Sequence, residues 1–90
     1  MDTVFVAQTL GEVGGSDMWW NPWVVIVLDQ PADKDDVIKA LQAVAPENFG
    51  DQYTGDVDWG KLRTQTTQVL TAAGHTVVSI TPAQAVHFQA

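Results

Sequence analysis

Met18-Trp19-Trp20-Asn21-Pro22-Trp23-Val24-Val25-Ile26-Val27-Leu28-Asp29 holds three of the chain's four tryptophans and leads into its most apolar run. Residues 24–28 (VVIVL) are all β-branched or aliphatic. That composition belongs to a strand that is apolar on both faces. Pro22 has no N–H to give a ladder, so Trp19 and Trp20 are expected on a bend or loop ahead of the strand.

N-terminal to this stretch, residues 3–9 (TVFVAQT) read as a first strand, rich in β-branched and aromatic side chains. Residues 10–17 (LGEVGGSD) carry three glycines and mark a turn. If the two strands pair antiparallel, Gly14-Gly15 suits the tip of a hairpin. The glycines do not form a phosphate cradle, because no lysine stands near them and no helix is expected to follow.

C-terminal to it, residues 29–32 (DQPA) are expected to end the strand, and a helix is expected over 33–45. Asp33 is placed to cap its first turn with Asp36 as the reciprocal partner, and Asp35 and Asp36 suit the positive end of the helix dipole. Val37, Ile38, Leu41, Val44 and Ala45 recur at helical spacing, and Pro46 stops the helix. Residues 47–57 (ENFGDQYTGDV) form the longest irregular stretch, a functional loop or the bearer of a short edge strand, with Phe49 and Tyr53 as anchors. A second helix is expected over 59–73. Asp58 is its N-cap, Gly74 sits just past its end, and Trp59, Leu62, Thr66, Val69, Leu70 and Ala73 line one side. Residues 75–80 (HTVVSI) read as a strand ended by Pro82. The alternation in 83–90 (AQAVHFQA) favours a last strand over a short helix.

The order β-β-α-α-β, with an optional final strand, implies one α+β domain over residues 1–90. Its expected form is a two-layer sandwich, a small antiparallel or mixed sheet with two helices on one face. A ferredoxin-like order does not fit, since no helix separates the first two strands. Alternation places Val4, Val6, Val24, Ile26 and Leu28 on one face, and Phe5, Val25 and Val27 on the other. Two helices shield one face. The other needs cover from the tryptophan segment, the tail or a second copy of the chain, and a homodimer is expected.

Composition narrows the function classes. A hydrophobic fraction of 46% with 17% charged residues fits a globular chain. At this length about 60–65% of the unfolded surface is buried, so a second subunit would add stability. The absence of cysteine removes disulfides, iron–sulfur clusters and thiolate metal sites. Eleven acidic residues against four basic ones give a net charge of −7, which disfavours direct contact with nucleic acid or an anionic membrane and favours a basic protein partner. Solubility alone is the plainer reason for such acidity. The N-terminus lacks the basic and apolar regions of a signal peptide, and no segment is apolar enough to span a bilayer. A cytoplasmic location is expected.

The side chains that bear chemistry form no standard catalytic set. Asp29 at a strand end, with Asp33, Asp35 and Asp36 following, is the arrangement in which some α/β folds hold magnesium. Capping and dipole compensation account for all of these except Asp29. Asp51, Asp56 and Asp58 surround Tyr53, but a calcium loop begun at Asp51 would place Leu62 where its closing glutamate belongs. His75 follows a helix end, where a dipole contact explains it, and His87 lies in the tail. Ser16 and Ser79 sit in no nucleophile motif. Trp19, Trp20 and Trp23 are core residues or interface anchors, since three within five positions cannot all point the same way.

The expected function is therefore non-catalytic protein binding of the accessory, immunity or inhibitor type, without a cofactor. Trp19, Trp20, Trp23 and Tyr53 are the expected contacts, supported by a negative surface. The alternatives are a metal- or carboxylate-dependent enzyme centred on Asp29, with Asp33 as a second ligand, and a structural subunit of a homo-oligomer.

Overall fold

A computed structural model describes residues 1–8, 22–44, 49 and 56–83 in full, and the backbone of 19–20 and 50–51. Among these residues, five strands and two helices follow one another as β1 (Asp2–Gln8), β2 (Trp19–Trp20), β3 (Trp23–Ala32), α1 (Lys34–Leu41), β4 (Gly50–Asp51), α2 (Trp59–Ala72) and β5 (Val77–Pro82). The order β1-β3-β5 forms an antiparallel three-stranded sheet, while β2 and β4 make a separate two-residue pair. The α+β fold read from the sequence is the observed one, with β1 and β3 as the expected antiparallel pair.

The central strand outruns its expected length. β3 continues through Pro31 to Ala32, where Ala32 pairs with Asp2 across an irregularity between Asp2 and Val4. β5 likewise includes Pro82, which pairs with Val24. Proline is tolerated at these places because each lies near the end of a ladder, where a missing donor costs little. Trp19 and Trp20 are not in a bend. Their backbones pair with Asp51 and Gly50, so a short strand within the 47–57 stretch serves as their partner.

The sheet register corrects the expected sorting of faces. Phe5 pairs with Ile26 and Ala7 with Val24, whereas Val4 pairs with Val27 and Val6 with Val25. Residues directly opposite in a ladder share a face. Phe5 and Ala7 therefore join Val24, Ile26 and Leu28 beneath the helices, and Val4 and Val6 lie on the other side with Val25 and Val27. A one-residue change in register reverses every side chain of a strand, and a strand apolar on both faces does not reveal which way it is set.

The core lies between the sheet and the helices. Val24, Ile26 and Leu28 from β3 and Ile80 from β5 meet Val37, Ala40, Leu41 and Val44 around α1 and Leu62 and Leu70 from α2. Phe49 is 3% exposed and acts as the anchor expected of it. Its carbonyl accepts the Asp58 N–H at 2.8 Å, which ties this position to the start of α2. Tyr53 lies outside the described residues.

The two helices end differently. Asp58 caps α2 as expected, its carboxylate accepting the Lys61 N–H at 3.1 Å. At the other end Gly74 adopts φ +94°. The Gly74 N–H bonds the Thr71 carbonyl and the His75 N–H bonds the Leu70 carbonyl, the paired bonds of a Schellman ending. α1 departs from expectation. Asp33 stands at the N-cap, but its side chain makes no capping bond, so the expected capping box with Asp36 does not form. The helix is also shorter than expected and stops at Leu41, with Ile38 on its exposed side in place of Ala40.

Candidate binding face

The helices cover only one side of the three-stranded sheet. On the other side β1 contributes Val4 and Val6, and β3 contributes Trp23, Val25 and Val27. Val4 is 54% exposed, Val6 62% and Trp23 54%, while Val25 and Val27 at the middle of the sheet are half-buried. Ser79 and Thr81 of β5 pair with Val27 and Val25 and complete this face with small neutral side chains. Val78 is 62% exposed at the irregularity between the pairings of Val27 and Leu28.

Local structure fixes Trp23 in this setting. It opens β3, pairs with Gln8 at the end of β1, and its carbonyl accepts the Ala83 N–H at 3.1 Å. Its backbone is thus bonded while its indole is more than half exposed beside the valines. A contiguous apolar patch on a sheet, with an aromatic residue at its end, has the form of an interface anchor.

The other residues singled out from the sequence do not all gather here. Trp19 and Trp20 are held in the β2–β4 pair. Asp29 lies exposed beyond Val27, and its N–H donates to the Thr76 carbonyl at 2.9 Å. Asp33 is exposed on the helical side, before α1. Among the described residues no three His, Asp or Glu side chains stand together as metal ligands. The contribution of Val4 and Val6 was missed because the register decides their face, and only the apolar character of both sides of β3 hinted at it.

Most of the described acids stand away from the centre of the open face, with Asp2 and Asp29 bordering it on β1 and β3. Asp33, Asp35 and Asp36 are exposed around the start of α1, and Asp56 and Asp58 precede α2. The valine patch therefore has an uncharged centre. No helix among the described residues is long and apolar enough to cross a membrane.

This arrangement defines the chain as a small α+β fold in which, among the described residues, the helices cover one face of the sheet and leave the other open. No family model, curated protein or solved structure matches the chain, so its chemistry has to be read from its own residues.

Proposed function

We propose that this chain is a non-catalytic protein-binding module of the accessory or inhibitor kind, working in the cytoplasm. It engages its partner through the open sheet face, with Trp23 as anchor. The observation that carries this reading is the joint exposure of Val4, Val6 and Trp23 on the side of the sheet away from the helices. Burying those side chains supplies the affinity, at about 25 cal/mol for each Å² of apolar surface removed from water. The net charge of −7 steers a basic protein toward the module. The hydroxyls of Ser79 and Thr81 provide polar contacts at the border of the patch.

The test is quantitative affinity capture with the purified chain and two variants, Trp23→Ser and Val6→Lys. A specific partner should be retained by the original chain and reduced about tenfold or more by either variant, the loss typical of an anchor at an interface. Circular dichroism should show both variants folded. An unchanged set of retained proteins would sink the proposal, as would variants that unfold because Trp23 and Val6 hold the sheet itself.

A further inference from the structure

Among the described residues the sheet has a second open feature, the edge of β1, which borders the open face at Val4 and Val6. Among the described residues β1 has a hydrogen-bonded neighbour on one side only, so it is an edge strand with alternate amides and carbonyls directed outward. Edges of this kind are usually guarded by lysine, proline or a bulge within the strand. Thr3, Val4, Phe5, Val6 and Ala7 include neither a charge nor a proline, and the only irregularity in their pairing lies at the start, between Asp2 and Val4. A groove of about 300 Å³ runs along this edge, with β1 from Asp2 to Ala7 on one side and Val37, Ile38 and Leu41 of α1 on the other, and Lys34 of α1 also in its lining. Ile38 is 42% exposed there although it belongs to a helix whose other large apolar residues are buried.

We infer that this edge is the interface between two copies of the chain, which pair β1 with β1 antiparallel and build one six-stranded sheet. The chemistry of the edge demands an extended segment, because only a strand satisfies a row of alternating donors and acceptors. A second copy of β1 fits that demand with two-fold symmetry. With the axis at Phe5, the middle of the seven-residue strand, Val4 faces Val6 of the other copy, Thr3 faces Ala7 and Asp2 faces Gln8. No acid meets an acid in this register. Val4 and Val6 make β-branched cross-strand pairs, and the two Phe5 side chains meet on the helical side next to Ile38 from each copy. Antiparallel pairing also sets the Asp2 end of one copy beside the Gln8 end of the other. The acids around the start of each α1 are thereby kept apart.

Size and charge predict the behaviour of this dimer. One strand edge and a helical side chain form a small interface, so the dimer dissociates reversibly. Each copy carries −7, and the repulsion between copies is screened over about 10 Å at 0.1 M salt. Self-association should therefore strengthen as salt rises. This dimer does not depend on the proposed partner-binding role, but both use Val4 and Val6, so Ile38 and Trp23 are the residues that separate them.

The experiment is analytical ultracentrifugation of the full 90-residue chain, with hydrogen exchange of the β1 amides at high and low protein concentration. A reversible monomer–dimer equilibrium is expected, with a dissociation constant that falls several-fold between about 0.05 and 0.5 M salt. Ile38→Lys should weaken it about tenfold or more by placing an unpaired charge in the contact, and Trp23→Ser should leave it unchanged. Outward-facing amides of residues 3–7 should be protected only in the dimer. A dimer that survives Ile38→Lys but is lost in Trp23→Ser would overturn the edge pairing and assign self-association to the open face. A chain that stays monomeric at every salt concentration, with β1 amides indifferent to protein concentration, would overturn it while leaving partner capture through Trp23 intact.

Discussion

Thr66 offers the sharpest test of the packing. It sits on α2 between Leu62 and Leu70, is fully buried, and its hydroxyl finds no hydrogen-bond partner among the described residues. A buried hydroxyl without a partner costs about 1–3 kcal/mol of desolvation. Thr66→Val keeps the branched shape, and threonine and valine have similar helix propensities, so the helix contribution cancels. The new methyl group also adds apolar burial worth up to about 0.8 kcal/mol. Allowing for imperfect fit, the variant should gain about 1–2 kcal/mol, a rise in Tm of about 5–10 °C for a domain of this size. Thr66→Ser retains the hydroxyl but gives up the methyl, and should lose about 1 kcal/mol. Urea and thermal unfolding followed by circular dichroism measure both changes. A neutral or destabilised Thr66→Val would refute the reasoning. It would mean that the hydroxyl is bonded in solution, for instance to the Leu62 carbonyl one turn earlier.

The helix ends make two further predictions. Gly74→Ala should destabilise by about 1–2 kcal/mol in urea unfolding, because φ +94° is strained for a residue with a Cβ even though nothing stands within 4 Å of that atom. Asp58→Ala should cost about 1 kcal/mol through loss of the bond to the Lys61 N–H. Asp33→Ala, with no such bond to lose, should cost less than about 0.5 kcal/mol.

Where the sequence carried a local cause, its reading survived. The Asp58 cap and the Gly74 ending are written in single residues whose chemistry has one reasonable use at a helix terminus. The stripe of Leu62, Thr66 and Leu70 follows from spacing alone. The antiparallel β1–β3 pair was legible because a glycine-rich stretch stands in sequence between the two apolar runs. What could not be read was relational. Whether Phe5 or Val4 faces the helices depends on a one-residue register, and both residues are apolar. Asp33 occupies the position of a cap, but its position in the sequence does not fix its side-chain rotamer, and the exposed carboxylate makes no capping bond. Ile38 fits the apolar stripe of α1 as well as Ala40 does, and the way the helix rolls over the sheet chose the smaller side chain for the core. The same ambiguity concealed the open sheet face, since the valines that form it look in sequence like the valines of the core.

Charge placement ties the two uncovered surfaces together. The described acids lie around the helix starts and at Asp2 and Asp29, while the centre of the open face and residues 3–7 of β1 carry no charge. Attractive apolar contacts and repulsive charge are thus separated in space, so salt acts on them differently. Contact between two copies brings two net charges of −7 closer, so screening should favour it. Contact with a basic partner gains from opposite charges at the border of the apolar patch, and screening weakens it. The two associations should therefore respond to salt with opposite signs. A single salt titration, read once by sedimentation and once by partner capture, separates the edge from the face, because one repulsive and one attractive charge term cannot both arise from the same pair of surfaces.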